Sequence, residues 1–149
     1  MLTPVSGAPI LVVEDSDEDF RALTWAMRKL KLTREVVRCS DGGEAVDYLR
    51  RAATFSGATM PGLVLLALNL VSSDGCEILA EIKGDPALAL TPVVVWTTSA
   101  NPADVERCYR SGANSYVLKP MDTDEFLHEV NMLTRYWFDV VMLPSSASE

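Results

Sequence analysis

The sequence predicts an α/β fold, a five-stranded parallel sheet covered by helices on both faces. Three observations carry that expectation. Apolar runs at residues 10–13, 35–39, 62–70, 92–97 and 115–118 are too short for buried helices and are bounded by turn residues. Each run is followed by apolar residues at helical spacing, and such alternation gives parallel strands joined by right-handed crossovers. The run Gly62-Leu63-Val64-Leu65-Leu66-Ala67-Leu68-Asn69-Leu70 is apolar on both faces, as a strand between two helical layers must be.

Residues 1–8 read as a short leader. The first strand, 10–13, runs straight into Glu14-Asp15. Asp17 is placed to cap the first helix, with Glu18 and Asp19 complementing the positive end of its dipole. Phe20, Leu23, Met27 and Leu30 form its apolar stripe. The second strand, 35–39, turns through Asp41-Gly42-Gly43 into a helix carrying Val46, Leu49 and Ala53. Residues 54–61 form a polar loop longer than the connection requires. After the third strand, a helix near 76–83 stops at Gly84-Asp85-Pro86, because the residue before proline avoids helical dihedrals. The fourth strand, 92–97, precedes a helix with Pro102 in its first turn, Val105, Cys108 and Tyr109 along it, and Gly112 at its end. The fifth strand, 115–118, runs into Lys119-Pro120, and a long helix begins near 122–124 and reaches about residue 140. Residues 9–140 then form one domain, and 141–149 a tail that could serve as a dimer arm. A dinucleotide-binding sheet would carry Gly-x-Gly-x-x-Gly after its first strand. Glu14-Asp15-Ser16 stands there instead, so a flavodoxin-like (βα)5 sheet is the better assignment.

Composition narrows the function. A net charge of −8 argues against a nucleic-acid surface, which needs clustered Lys and Arg. No apolar run approaches the roughly 20 residues of a membrane-spanning helix. The opening Met1-Leu2-Thr3-Pro4 lacks the basic and apolar regions of a signal peptide. Cys39, Cys76 and Cys108 are widely spaced and odd in number, which suits free thiols in a reducing cytoplasm. None has a base or an orienting partner in the sequence pattern, so no enzyme activity is expected.

The strand ends bring polar residues to one rim: Glu14 and Asp15, Ala67 and Asn69, Thr97 and Thr98, and Lys119. Adjacent carboxylates repel by about 3 kcal/mol at roughly 5 Å separation and an effective dielectric of about 20. A hard cation such as Mg²⁺ and the Lys119 ammonium would both offset that repulsion.

Val13-Glu14-Asp15, Leu65 through Leu70, Asp74-Gly75, Thr97-Thr98-Ser99, Gly112-Ala113 and Tyr116-Val117-Leu118-Lys119-Pro120 resemble the receiver domain of two-component response regulators over residues 9–135. Trp96 through Pro102, the tail Arg135-Tyr136-Trp137-Phe138 and the long loop before the third strand are similar to stand-alone regulators that serve bacterial phytochrome histidine kinases. The resemblance implies a phosphorelay partner of a sensor histidine kinase. It implies Mg²⁺ held by Glu14, Asp15 and the backbone carbonyl of Asn69. It gives Thr97 and Lys119 the phosphoryl oxygens, Tyr116 the part of an aromatic that swings inward on activation, and Lys119-Pro120 a cis bond. Phosphoryl transfer needs mainly positioning and charge neutralisation, which those groups supply.

The pattern breaks at position 67, where the family carries the aspartate that accepts the phosphoryl group. Alanine has no lone pair to offer, so no aspartyl phosphate forms there, and Mg²⁺ binding is expected to weaken. Two origins fit: a natural receiver that works without phosphorylation, or an ordinary receiver altered to remove its acceptor. Retention of the acids, hydroxyl, lysine and aromatic favours the second, whereas Val71-Ser72-Ser73, in place of a proline-containing turn, pulls the other way. A small-anion or nucleotide-binding module and a phosphorylation-independent adaptor are the rival functions.

In the last helix, Phe126, Val130, Leu133, Trp137 and Val141 form a stripe expected to pack on the sheet. Leu127, Met132, Tyr136, Phe138, Val140 and Met142 fall off that face, which predicts a homodimer through this helix. His128, Trp25 and Tyr109 read as solvated or packing residues, and Gly42-Gly43 as a turn.

Overall fold

The computed structural model describes residues 7–54 and 59–144. The outer parts of the expected leader and tail, and the middle of the loop 54–61, lie outside them. Strands β1 (Ile10–Val13), β2 (Val36–Cys39), β3 (Leu63–Leu66), β4 (Val93–Thr97) and β5 (Ser115–Leu118) alternate with helices α1 (Asp17–Lys29), α2 (Gly42–Ala53), α3 (Gly75–Gly84), α4 (Pro102–Arg110) and α5 (Thr123–Arg135). The strands form one parallel sheet in the order β2-β1-β3-β4-β5. This is the flavodoxin-like (βα)5 arrangement that the alternation predicts.

Side-chain alternation along each strand divides the core in two. Leu11, Val13, Val64, Leu66, Val93 and Val95 face Leu49, Leu79, Ile82 and Cys108 from α2, α3 and α4. Ile10, Val12, Leu63, Leu65, Val94 and Trp96 face Leu23, Met27, Val130 and Trp137 from the other layer. The central strands β1, β3 and β4 are buried throughout, and the edge strands β2 and β5 only in part. That is why the central three read as continuous apolar runs.

Local signals set the helix starts. Asp41, Asp74, Asn101 and Asp122 each accept a backbone N–H of the helix they open. At α1 the cap is Ser16, whose Oγ accepts Asp19 N at 3.1 Å; Asp17 becomes the first helical residue and pairs with Arg38 at 2.8 Å. Both residue types cap well, and the shorter serine side chain sits where the chain leaves β1. Gly112 follows α4 with φ of +107°, a left-handed turn that glycine adopts without strain. The third strand is shorter than its apolar run. Its ladder ends at Leu66, and Asn69 then bridges antiparallel to Asp74.

The last helix continues past Arg135 as a π-helical turn, Tyr136–Val140, closed by Val141 N to Tyr136 O at 2.9 Å. The wider turn changes which side chains face inward. Phe138 packs into the core beneath the Arg34 guanidinium, which lies 3.7 Å from its ring centroid, and Leu127 packs inward as well. These two residues correct the expectation that they lie off the packing face. Met132, Tyr136, Val140 and Met142 do remain exposed.

Candidate functional site at the carboxyl rim

The ends of β1, β3, β4 and β5 build the site. Glu14 leaves β1 with its backbone N–H on Cys39 O, and Ala67 leaves β3 with its N–H on Val13 O, so the two ends lie side by side. Lys119 leaves β5 with its N–H on Thr97 O at 2.8 Å. Its side chain crosses the rim. Nζ donates to Glu14 Oε1 at 2.7 Å and to Asp19 Oδ2 at 3.0 Å, and lies 5.6 Å from the centroid of the Trp96 ring. The Lys119 and Glu14 side chains are 13% and 10% exposed, so this is a largely buried ion pair. Glu14 Oε2 accepts Ser16 N at 3.1 Å, which leaves neither carboxylate oxygen without a donor. Asp15 is turned to the β3–α3 loop, where Oδ2 accepts Val71 N.

Ala67 is buried, and α3 begins directly against it. Gly75 N donates to Leu68 O at 2.7 Å, and a side-chain carbon on Gly75 would fall 2.3 Å from Ala67 O. Asn69 is exposed two residues further along. Thr97 is buried, its Oγ1 accepting Ser99 N at 3.2 Å. Tyr116 is turned inward. Its hydroxyl donates to Ser99 O at 2.8 Å and its ring packs on the core, and burial raises its pKa above the usual tyrosine value. Ser99 Oγ in turn donates to Asp104 Oδ2 at 2.7 Å, which ties Tyr116 to the start of α4.

The structure therefore joins Glu14 directly to Lys119, sets Thr97 and Ala67 on the same rim, and sends Asp15 toward the loop that carries Asn69. It does not join Tyr116 to Lys119. Among the described residues no peptide bond is cis, which corrects the expectation for Lys119-Pro120. A trans bond is the lower-energy isomer even before proline, and Lys119 reaches Glu14 without the alternative. Asp19 is a rim residue that sequence reasoning assigned only to the helix dipole. The acidic run Glu14 to Asp19 gives no reason to choose it over Asp17 or Glu18, until the helix register turns it toward the lysine.

Metal binding is a matter of donor supply. Among the described residues, no three His, Cys, Asp or Glu side chains converge on a point that could hold a metal ion. Glu14, Asp15 and the Asn69 carbonyl are the groups that would hold Mg²⁺ here; in this structure the first pairs with the Lys119 ammonium and the second accepts Val71 N.

A parallel sheet with paired acids after β1, a hydroxyl after β4 and a lysine after β5 defines a signalling receiver, and sequence comparison agrees. The chain belongs to the response regulator receiver domain family, which matches residues 10–131. It is 36% identical over 137 residues to response regulator Rcp1 of Synechocystis, covering 92% of this chain and 93% of that protein. Among solved structures, the phosphorylated cyanobacterial phytochrome response regulator RcpA superposes with a TM-score of 0.84 at 38% identity, covering 93% of this chain and 99% of RcpA. The Mn²⁺-bound form of Rcp1 superposes with a TM-score of 0.83 at 35% identity, covering 93% of this chain and all (100%) of the other.

Proposed function

We propose that this chain is a stand-alone cytoplasmic response regulator that docks on a sensor histidine kinase of the phytochrome class and takes no phosphoryl group at residue 67. It is a signalling partner and not an enzyme. The observation that carries the reading is the Lys119 ammonium, held between Glu14 and Asp19 on the rim where β3 runs out into Ala67. The charge that would neutralise a phosphoryl group is present and already paired. Docking relies on surface shape and apolar contact, neither of which the alanine removes. The phytochrome link is supported by the kinship with RcpA and Rcp1.

The inward Tyr116 favours one form of this function over the others. An aromatic already bonded to the β4–α4 loop needs no phosphoryl group to draw it in, so the chain acts as a phosphorylation-independent adaptor. Anion or nucleotide binding at the same rim is disfavoured, because Lys119 is committed to two carboxylates.

Incubation with an autophosphorylated cognate kinase tests the reading. Ala67→Asp is expected to take up label and the chain itself none. Label on the unaltered chain, or none on Ala67→Asp, refutes it. Thermal melts give an independent check. A further carboxylate at the rim lowers the melting temperature without metal and enlarges the rise on adding Mg²⁺. Equal Mg²⁺-induced shifts for the two proteins would show that Ala67 does not weaken metal binding.

We also infer a homodimer through the last helix. Met132, Tyr136 and Val140 recur every four residues and are 56%, 53% and 70% exposed. Met132 and Tyr136 line a groove together with Val117, His128 and Leu133. Truncation before residue 136 would remove Trp137 from the core, so surface charges are the cleaner probe. Tyr136→Glu with Val140→Glu is expected to give a monomer in light scattering, and an undiminished dimer counts against the interface.

A further inference from the structure

We propose that Cys76 and Cys108 form a dithiol that hydrogen peroxide closes into a disulfide, tying α4 to α3. This rests on the geometry of two helices and stands whether or not the signalling reading holds. Cys76 is the second residue of α3 and Cys108 lies near the end of α4, and their sulfurs are 2.6 Å apart in the core. A disulfide bond of about 2.05 Å needs only a small further approach, within what side-chain rotation supplies. Cys108 is the one fully buried residue of α4, so this contact lies where that helix enters the core. Cys39 ends β2, the opposite edge strand of the sheet, and takes no part.

The two sulfurs are not equivalent. Arg107 reaches over the start of α3, with Nη1 at 2.6 Å from Asp74 Oδ2, close enough for its charge to act on Cys76. Cys76 sits in the first turn of α3 beside the Arg107–Asp74 pair, and its sulfur is the one assigned the first attack. Burial pushes the Cys108 thiol up to about 12, so it keeps its proton until it attacks and then passes it to the departing hydroxyl. In the first step the Cys76 sulfur attacks the peroxide: an S–O bond forms, the O–O bond breaks, and the departing oxygen takes up the Cys76 proton and leaves as water. In the second, the Cys108 sulfur displaces the hydroxyl from Cys76: the S–S bond forms, the S–O bond breaks, and a second water leaves with the Cys108 proton. Two thiols lose two electrons and two protons, and one peroxide becomes two waters.

The bond would act on the switch region. Asp104, in the first turn of α4, holds Ser99, whose carbonyl holds the Tyr116 hydroxyl. Fixing α4 to α3 holds this chain of contacts in place. The experiment treats the full chain with hydrogen peroxide and follows intact mass, peptide maps and melting temperature. The expected result is loss of two hydrogens, a 76–108 cross-linked peptide, and a rise of roughly 10 °C in melting temperature that dithiothreitol reverses. Cys76→Ser is expected to abolish both cross-link and rise, and Cys39→Ala to keep both. If a variant fails to fold, the peptide map of the unaltered chain decides alone. Free thiols at 76 and 108 after treatment, sulfinic acid at either without a cross-link, or a cross-link through Cys39 would overturn the proposal. So would a 76–108 bond that leaves the melting temperature unchanged.

Discussion

Replacing Lys119 by alanine is expected to lower the unfolding free energy by about 3 kcal/mol at neutral pH, in urea titrations without metal. The ion pair with Glu14 is nearly dry on both sides, and Glu14 would keep only the Ser16 N–H once the ammonium is gone. An unpaired buried charge costs far more than a surface bridge is worth. Adding Glu14→Gln should restore most of the stability, since the pair is removed together. Mg²⁺ should stabilise Lys119→Ala more than the unaltered chain, because a divalent ion can take the place the ammonium left. A loss below about 1 kcal/mol would mean that the rim is wetter than the burial of Glu14 indicates.

Gly75→Ala is expected to cost roughly 2–4 kcal/mol, from overpacking plus one strained hydrogen bond. The new carbon would meet Ala67 O at 2.3 Å and Leu68 Cα at 2.9 Å, and both are backbone atoms that cannot rotate away. The start of α3 must lift, which stretches Gly75 N–Leu68 O and moves Asp74, the residue that caps α3 and holds Arg107. Gly84, at the other end of the same helix, has nothing within 4 Å of the corresponding position. Gly84→Ala should therefore leave stability unchanged or raise it by up to about 1 kcal/mol. Equal effects at the two glycines in chemical denaturation would show that α3 is not pressed against the end of β3.

The fold was legible because its signals are local and redundant. Each buried strand is an unbroken apolar run, each helix opens on an Asp, Asn or Ser, and Pro102 and Gly112 bracket α4 in the order their backbone preferences require. Glu14, Ala67, Thr97 and Lys119 were legible for the same reason, since each directly follows or closes such a run. Asp19 was not. Its part depends on the rotation of α1, and a one-residue shift of the cap from Asp17 to Ser16 changes which carboxylate meets the lysine. Phe138 was misplaced because a strict helical period was carried through a segment that widens into a π-turn, and Leu127, in the regular part of α5, because the buried face there is wider than one row of residues. The bond between Tyr116 and Ser99 joins residues 17 positions apart through a backbone carbonyl, which side-chain pattern does not reveal.

Phe138 and Leu143 come to rest where a side-chain carbon on Gly62 would be, just before β3 begins, whereas Ala67 follows β3 at its far end. The carboxy-terminal segment is thus moored at the floor of the sheet, a strand's length of roughly 13 Å below the carboxylates. A fluorophore attached next to Leu143 would sit on that floor, remote from ion exchange at the opposite end of the strands.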